Sequence, residues 1–366
     1  MIEATLTPVV DFDTLGSMWR SFESRADSSF FQSWAWMGCL AEQRFDRPTL
    51  LEVRKNGEVA ALALFNRHGR ALFLGETGIP TWDSVFIEHN GLLIARDEAG
   101  GALIPTGLRV AAARRLVLGG VDEAHRLALR ALPGSVRIRQ TRPAPYVDYA
   151  ALPAGPYVAS LSANTRYQIR RSDRRYATDG ELRIERAGTA AEAHGFLTAL
   201  AALHQRYWES RGHPGAFAGA DFTRFHHALI DRAMPAGEID LLRISAGHRV
   251  IGFLYNFVYR RHVYSYQSGF DYQPAEPHLK PGLTSHRLAI ELYQSEGMSR
   301  YDFLGGEDRY KTSLANASTT LHWLEYLPRF SARWLAAGAR QLLRRQDARL
   351  AATNGPSERC LGHREG

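Results

Sequence analysis

The sequence contains very little cysteine and no long apolar run. Its 366 residues include only two cysteines, Cys39 and Cys360, and neither belongs to a CxxC pair. This indicates a reducing compartment and argues against a disulfide framework or a zinc site. No window approaches 18 uninterrupted apolar residues, so the sequence predicts no transmembrane helix. The N-terminal segment contains acids and no apolar h-region, so it is not a secretory signal and we expect a cytoplasmic protein.

Familiar metal and nucleotide motifs are also missing. The fourteen histidines form no HExxH or similar spacing, and the adjacent His226 and His227 would diverge on a helix, so we expect no metal. The chain has neither a GxxxxGKS/T motif nor a GxGxxG after a strand, which argues against a P-loop and a Rossmann site.

The chain has a net charge of +7. That charge favours anionic partners, among them nucleotide phosphates, acidic sugars, nucleic acid and membrane surfaces.

Two similar hairpin patterns suggest a duplicated unit. Residues 50–65 place Asn56-Gly57, a type I′ turn signal, between two strand-like runs. Residues 240–256 repeat the order of strand, glycine turn and strand, and each hairpin follows a helix rich in aromatic residues. The alternative is that two unrelated hairpins look alike.

The chain is long enough for two domains. We predict mostly helix over residues 105–132 and a linker in the proline-rich segment 142–156. The expected division is an N-terminal lobe at 1–150, a C-terminal lobe at 151–330, and a tail at 331–366. Within the tail, 331–352 has the pattern of a basic amphipathic helix, which would dock on the body or rest on an anionic membrane.

A strand followed by a helix forms the first candidate site. A helix is predicted from about residue 282, with Pro281 at or just before its first position and Gly282 allowing close approach of a ligand. The first-turn N–H groups have no intrahelical partner, so they suit a pyrophosphate. The alternative is an ordinary connection between a strand and a helix.

A charged loop forms the second candidate site. Asp302 ends a predicted strand, and Gly305-Gly306 is followed by Glu307, Asp308, Arg309, Tyr310 and Lys311. Such a cluster can supply a general base, from Asp302 or Glu307, and a cation that stabilises an oxyanion, from Lys311. The alternative is a solvated charged turn.

Two further helices carry candidate substrate residues. Arg166 and Arg170 belong to an arginine stripe whose guanidinium groups suit phosphate or carboxylate, unless the stripe is only a solvated face. Tyr207, Trp208 and Arg211 lie at the end of another predicted helix, where they would form the floor of a substrate pocket or pack in the core.

Taken together, these motifs resemble the CelD-like acetyltransferases of the GNAT superfamily, which are relatives of the Fem-type peptidoglycan aminoacyltransferases. The resemblance covers roughly residues 30–330. Its anchors are FFQSWAW, LSANTRYQIRR, HQRYWESRG, VIGFLYNF, HVYSYQSGFD, PGLTSHRLAIELYQSEG and YDFLGGEDRYK.

The resemblance implies an α/β (α+β) fold with two GNAT-like lobes, each a mixed, mainly antiparallel sheet flanked by helices. In such proteins the C-terminal lobe binds the acyl donor between a splayed strand and the next helix, and here the N-terminal lobe would be degenerate and face the acceptor. Where many GNAT enzymes have a Q/RxxGxG/A loop, this chain has HLKPGL. The residues carried over are Tyr266, Gln267 and Ser268 along the donor, with Pro281, Gly282 and Leu283 at its pyrophosphate.

The Fem-type relatives have an aromatic-lysine pair associated with stabilising the developing charge, and Tyr310-Lys311 matches it. We therefore expect a metal-free acyltransferase that moves an acyl group, typically acetyl, from acyl-CoA to an amine. The acceptor would be a small molecule or an envelope or exopolysaccharide precursor, and DNA is not an expected partner. The alternatives are an aminoacyl-tRNA-dependent ligase, although the helical arm of many Fem proteins is missing, and a non-catalytic scaffold.

Overall fold

The computed structural model describes residues 1–80, 82–83, 86–98, 100–273 and 275–329. Within these ranges the chain forms fourteen strands and ten α-helices, with three short 3-10 helices. The amphipathic helix predicted for 331–352 and the rest of the tail lie outside the described residues.

The first part of the chain, up to residue 148, contains eight strands and four helices. The strands are β1 (Ile2–Pro8), β2 (Ala26–Asp27), β3 (Pro48–Lys55), β4 (Glu58–His68), β5 (Ala71–Leu74), β6 (Leu93–Ala95), β7 (Arg115–Val121) and β8 (Gly134–Asp148). The helices are α1 (Phe12–Ser24), α2 (Trp34–Arg44), α3 (Gly100–Ala111) and α4 (Glu123–Arg130).

The second part contains six strands and six helices among the described residues. The strands are β9 (Leu182–Arg186), β10 (Ile239–Ala246), β11 (Arg249–Tyr259), β12 (His262–Phe270), β13 (Arg300–Asp302) and β14 (Ala317–Pro328). The helices are α5 (Tyr157–Ser160), α6 (Ala163–Tyr176), α7 (Ala190–Glu209), α8 (Ala220–Ala233), α9 (Pro281–Ser295) and α10 (Arg309–Leu314).

One open sheet contains the same strand pattern twice. The strand order is β1-β3-β4-β5-β7-β14-β8-β13-β12-β11-β10-β9. Read inward from either end, antiparallel strands lead to one parallel pair, which is β5 with β7 on one side and β12 with β13 on the other. A helix connects the two strands of each parallel pair, α3 in the first case and α9 in the second. The predicted duplication is therefore confirmed as two lobes with a common plan.

The lobes exchange their last strands at the centre of the sheet. β14, near the end of the described chain, pairs with β7, whereas β8 from the first part pairs with β13. β8 and β14 also pair with each other over twelve residue pairs. We call the half from β1 to β14 the first lobe and the half from β8 to β9 the second lobe.

An aromatic core joins the lobes. Phe30 stacks on Phe257 with ring centroids 4.3 Å apart, and Trp36 lies 6.0 Å from the ring of Tyr266. Phe30 and Trp36 precede the first lobe's hairpin, whereas Phe257 and Tyr266 belong to β11 and β12 of the second. Large aromatic side chains contribute much of the apolar area that a fold buries, so this shared core holds the two lobes together.

Two sequence predictions each missed a strand. Residues 105–132, predicted as mostly helix, also contain strand β7, which separates α3 from α4. Its buried apolar run gives no periodicity that distinguishes a strand from a helix.

The predicted linker at 142–156 begins as strand, since β8 extends to Asp148. The carbonyls of Pro143 and Pro145 accept the N–H groups of Gly306 and Phe303, each at 3.0 Å. A strand tolerates proline where the ladder does not need an N–H, and these two prolines pair through their carbonyls instead. The segment read as a linker therefore holds the charged loop in place.

Candidate active site

The candidate site lies where two parallel strands of the second lobe separate. β12 pairs with β13 only through three residues, His262 to Tyr264. β13 ends at Asp302, whereas β12 continues to Phe270 with its edge open. A bulge at Tyr266 interrupts the pairing of β12 with β11 and bends the strand there.

This separation forms part of a cavity of about 1390 Å³. Such a volume exceeds that of a typical small-ligand pocket, which is roughly 300–1,000 Å³, so it can hold an extended donor together with an acceptor. The predicted donor residues Tyr266, Gln267 and Ser268 line it along β12. The opposite wall contains Phe303 to Gly305, which follow β13, and the start of α10, and the first part of the chain contributes Phe86, Glu88 and Arg142.

The N-terminus of α9 lies at the same cavity. Gly282 and Leu283 line it together with Lys280, whereas Pro281 begins the helix without lining the wall. Proline has no N–H, so the N–H groups of Gly282 and Leu283 are the first that α9 offers, and neither has an intrahelical acceptor. A Cβ added to Gly282 would lie 3.3 Å from the ring of Phe270. The glycine therefore keeps this helix start close to β12, and the site suits an anionic group.

Lys311 and Glu88 both bind the backbone of Gly305, one at its carbonyl and the other at its N–H. The Lys311 Nζ donates a hydrogen bond to the carbonyl of Gly305 at 3.0 Å. The N–H of Gly305 donates to Glu88 Oε2. Both charged side chains are largely buried, with Glu88 3% and Lys311 9% exposed. The pair thus combines an acid from the first part of the chain with a cation from α10.

The glycine pair in YDFLGGEDRYK makes room for these two charges. A Cβ on Gly305 would lie 3.0 Å from Glu88 Oε1, and a Cβ on Gly306 would lie 3.0 Å from the Lys311 Nζ. Gly306 also has φ +144°, a backbone conformation that L side chains rarely adopt. The two glycines therefore let charged groups approach the backbone closely, and they also let the chain turn.

Burial shifts both ionisable groups toward their neutral forms. It lowers the pKa of Lys311, while the nearby carboxylates of Glu88, Asp308 and Asp302 act in the opposite direction. Burial also raises the pKa of Glu88, and the Gly305 N–H, His89 and Lys311 oppose that rise. Each charge therefore favours its partner's charge, whereas burial favours the neutral form of both groups.

The two predicted bases lie away from the cavity wall. Asp302 is fully buried and does not line the cavity. Its Oδ1 accepts the N–H of Leu304 at 2.8 Å, and its Oδ2 lies 3.2 Å from Nε2 of His89. Burial disfavours the charged form of His89, but the carboxylates of Asp302 and Glu88 outweigh it and raise its pKa. Glu307 is exposed and also lies outside the lining. The structure thus brings neither carboxylate to the cavity.

Tyr310 does line the cavity beside Lys311. Its ring stacks on His286 with centroids 5.3 Å apart and meets Phe303 edge-on at 6.1 Å. Burial raises the pKa of the Tyr310 hydroxyl, so the group stays protonated and can act as a hydrogen-bond donor.

Aromatic side chains form a rim around part of the cavity. Tyr207 and Trp208 line it, and Tyr272 lies with its ring centroid 4.8 Å from that of Tyr207. Arg211 lies outside the lining, with its guanidinium carbon 4.6 Å from the centroid of the Tyr207 ring. Arg211 therefore supports an aromatic rim residue rather than facing the cavity.

The arginine stripe of α6 is separate from this site. Arg166 and Arg170 line a second concavity of about 660 Å³, together with Asp173 and Arg174. The Arg166 Nη1 donates to the backbone carbonyls of Ala159 and Leu161, so this guanidinium already has partners in the chain. The start of α6 and its N-cap instead present uncharged polar side chains to the main cavity, namely Ser162, Asn164, Thr165 and Gln168.

Sequence reasoning missed Glu88, His89 and Arg142. Glu88 and His89 lie in FIEHN, which matches no motif, and Arg142 lies in the segment read as a linker. Only the assembly of distant parts of the chain brings them to the second lobe, so no local pattern could have identified them.

The described residues contain neither a group of metal ligands nor a membrane-spanning helix. Within those ranges no three His, Cys, Asp or Glu side chains are grouped so that they could hold a metal ion. Of the helices described, none combines the length and apolar character that crossing a membrane requires.

The comparisons with known proteins agree with this architecture. Residues 163–312 match the family described as "Acetyltransferase (GNAT) domain". Among solved structures, FemX covers 88% of this chain and 96% of its own, with a TM-score of 0.57 and 11% identity. No curated protein sequence matches the chain significantly.

Two further solved structures are similar over most of the chain. The C-terminal domain of a putative lysylphosphatidylglycerol synthetase from Agrobacterium fabrum covers 91% of this chain and 97% of its own, with a TM-score of 0.53 and 12% identity. L-PGS from Bacillus licheniformis covers 87% and 93%, with a TM-score of 0.50 and 12% identity. At this identity the likeness concerns the fold.

The fold and the cavity define a protein with tandem GNAT-like lobes. The sequence match falls on the second lobe, where the strands separate and the cavity opens. Within that class, the fold is related to that of the Fem proteins, as the resemblance of the sequence motifs predicts.

Proposed function

We propose that the protein transfers an acyl group from an acyl-CoA to a primary amine in the cavity of the second lobe. The observation that carries this proposal is the open edge of β12, which faces a buried lysine on one side and a helix N-terminus on the other. An extended thioester donor fits such a place, because its amide groups can pair with a strand edge while its phosphates reach the helix start.

The donor would lie along Tyr266, Gln267 and Ser268, with its pyrophosphate at Gly282 and Leu283. The charge of the wall supports this direction. The cationic lining residues are Arg142, Lys280, Arg309 and Lys311, against the two carboxylates of Glu88 and Asp308. This excess attracts a polyanionic donor, and Lys280 adds a cation beside the first N–H groups of α9.

Lys311 would stabilise the negative charge that develops on the thioester oxygen. Its ammonium group is largely buried and already hydrogen-bonded to Gly305, so it is held in place before the reaction. A fixed cation in a site of low dielectric stabilises a developing oxyanion more than a solvated one does. Tyr310 would donate a further hydrogen bond from the same helix, toward the oxygen or the leaving sulfur.

The acceptor would enter from the aromatic rim, and the first lobe would contribute to its side of the cavity. The rings of Tyr207, Trp208 and Tyr272 offer flat apolar faces beside polar groups. Such a surface suits a ring-shaped polar acceptor, for example an amino sugar of an envelope or exopolysaccharide precursor.

A second candidate is aminoacyl transfer from an aminoacyl-tRNA. The likeness of the fold to FemX favours it, because an ester donor would need the same buried cation. The two donors differ in size and charge. Binding of tRNA neutralises many phosphates and weakens steeply with salt, whereas one CoA molecule shows a much smaller dependence.

Thermal unfolding with different donors tests the proposal. We expect acetyl-CoA at a hundredfold excess over its Kd to stabilise the protein by about 2.7 kcal/mol, and ATP and tRNA to have little effect. Lys280→Ala should weaken stabilisation by acetyl-CoA, whereas Lys55→Ala, at an exposed pair with Glu98, should not. Stabilisation by aminoacyl-tRNA alone would select the second candidate, and stabilisation by neither donor would contradict both.

A further inference from the structure

A short loop of the first part of the chain contacts both lobes through different side chains. We call residues 86–90 the bridging loop. Ile87 and Asn90 are directed into the first lobe, since Ile87 packs against Gly75 and Asn90 donates to the carbonyls of Leu74 and Gly119. Phe86 and Glu88 instead line the cavity of the second lobe. The bridging loop thus places one carboxylate beside the proposed donor.

Only one oxygen of that carboxylate is occupied. Oε2 of Glu88 accepts the N–H of Gly305, which fixes the orientation of the group. Of the hydrogen bonds among the described residues, none reaches Oε1, and Glu88 lines the cavity. A largely buried carboxylate with one oxygen anchored and the other available is suited to accept a proton from a bound molecule.

The other acids near the cavity are less suitable. Asp302 is buried behind the wall, and Glu307 is exposed outside the lining. Asp308 lines the cavity, but its side chain is 63% exposed and it lies 3.8 Å from the Lys311 Nζ. Within the described part of the wall, Glu88 is the buried carboxylate.

We propose that Glu88 is the catalytic base, supplied to the second lobe by the bridging loop. This inference rests on the acyl transfer proposed above. The acceptor nitrogen forms a bond to the thioester carbonyl carbon, and one N–H proton passes to Oε1 of Glu88. The carbon–sulfur bond then breaks, the sulfur leaves with the electron pair, and the proton held by Glu88 passes to it, which yields an amide and free CoA thiol.

Charged groups on several elements face Glu88. His89 is its neighbour on the bridging loop, Lys311 lies on α10, Asp302 ends β13, and Arg142 on β8 lines the same cavity. With Glu88 as base, kcat/KM falls on the acid side as the carboxylate becomes protonated. Because burial raises the pKa of Glu88, this acid limb lies above the range of an ordinary glutamate.

The test compares Glu88→Gln with Glu88→Ala in the full-length protein. Glutamine keeps an oxygen that can accept the Gly305 N–H but cannot take a proton, whereas alanine removes both functions. The probes are acetyl-CoA with glucosamine, lysine or spermidine, and the readout is release of CoA thiol. Glu76→Gln is the matched control, because Glu76 is a buried acid of the first lobe that does not line the cavity.

We expect the kcat of Glu88→Gln to fall by about 100-fold or more, and the acid limb of its kcat/KM profile to disappear. Its affinity for acetyl-CoA should stay within about twofold of that of the original protein. Glu76→Gln should retain its turnover and limb. If Glu88→Gln keeps more than one tenth of the original turnover and its kcat/KM profile keeps the acid limb, Glu88 only positions Gly305. That result would overturn this inference alone. An unsubstituted protein that binds no acetyl-CoA, or acetylates none of the three amines, would overturn the proposed function and this inference with it.

Discussion

The two lobes differ at the junction of their parallel strands. In the second lobe, β12 continues six residues beyond its last pair with β13, and the strands separate around a cavity. In the first lobe, β5 ends at Leu74 while still paired with Leu118 of β7. Just beyond that point, the Nδ2 of Asn90 donates to the carbonyls of Leu74 and Gly119, at 3.3 and 3.2 Å. One junction is open, and the other is closed by a side chain.

The helices that follow these junctions, α3 and α9, also differ in whether their first residues are covered or open. A Cβ on Gly100 at the start of α3 would lie 3.0 Å from Ile94 and 3.1 Å from Ile104, so isoleucine side chains cover this start. The corresponding start of α9, at Gly282, lines the cavity. A repeated fold thus provides one lobe whose junction is closed and one whose junction opens on a cavity.

The largest effect should come from removing the buried cation of the open junction. Lys311→Met keeps the length of the side chain and removes its charge. If Lys311 stabilises the oxyanion, kcat should fall by about 10²–10³. Acetyl-CoA affinity, measured by calorimetry, should change little, because the charge acts mainly in the transition state.

The matched control for this change is Lys55→Met. Lys55 pairs with Glu98 in the first lobe, far from the cavity wall, and its side chain is 43% exposed. Turnover should be unaffected by the control. A Lys311→Met protein that folds normally and keeps full turnover would show that the cavity does not need this cation.

In the closed junction, the expected loss is stability rather than binding. Asn90→Ala removes a buried amide and leaves the carbonyls of Leu74 and Gly119 without this donor. We expect the free energy of unfolding to fall by about 2 kcal/mol, as measured by urea denaturation. Acetyl-CoA affinity should remain within about twofold. Weaker binding without a loss of stability would contradict the division of roles between the lobes.

Much of the fold could be predicted from the sequence because its signals are local. Asn56-Gly57 has the φ values of +53° and +90° that its turn type requires, and it joins β3 to β4 as expected. The helix predicted from about residue 282 begins at Pro281. Short-range backbone preferences determine such features, so a single sequence reveals them.

The assembly of the site was harder to predict because it depends on contacts between distant residues. Lys311 could be identified from its loop, but its partner Glu88 lies 223 positions earlier and meets Gly305 only after the lobes assemble. The exchange of β8 and β14 has no local signal either. The arginines of α6 show the reverse case, since a visible stripe at Arg166 and Arg170 faces another concavity. Periodicity predicts the faces of a helix but not what each face contacts.

A smaller effect should distinguish the start of α9 from the start of α3. Gly282→Ala places a methyl group 3.3 Å from the ring of Phe270, so the ring or the helix start must shift by a few tenths of an ångström. We expect acetyl-CoA affinity to fall by roughly three- to tenfold, equivalent to about 1 kcal/mol. Calorimetric titration would measure it.

Gly101→Ala provides the control for this pair, because it occupies the second position of α3 as Gly282 does in α9, and an added Cβ meets nothing within 4 Å. It should leave donor binding unchanged and stabilise the helix slightly. Equal effects of the two substitutions on acetyl-CoA affinity would remove the distinction between an open and a closed helix start.

The smallest effect concerns the contact between the lobes, where His89 of the bridging loop lies 3.2 Å from Asp302 of β13. The folded protein raises the pKa of His89, so its contribution to stability is fully present below the ordinary histidine pKa and is lost as pH rises through the raised value. His89→Gln should therefore destabilise the protein more at pH 6 than at pH 8.5, by about 1 kcal/mol in urea denaturation. His68→Gln removes an exposed pair with Asp46 inside the first lobe, and we expect it to change little at either pH. If the cost of His89→Gln is the same at both pH values, the charge of His89 does not help to join the open lobe to the closed one.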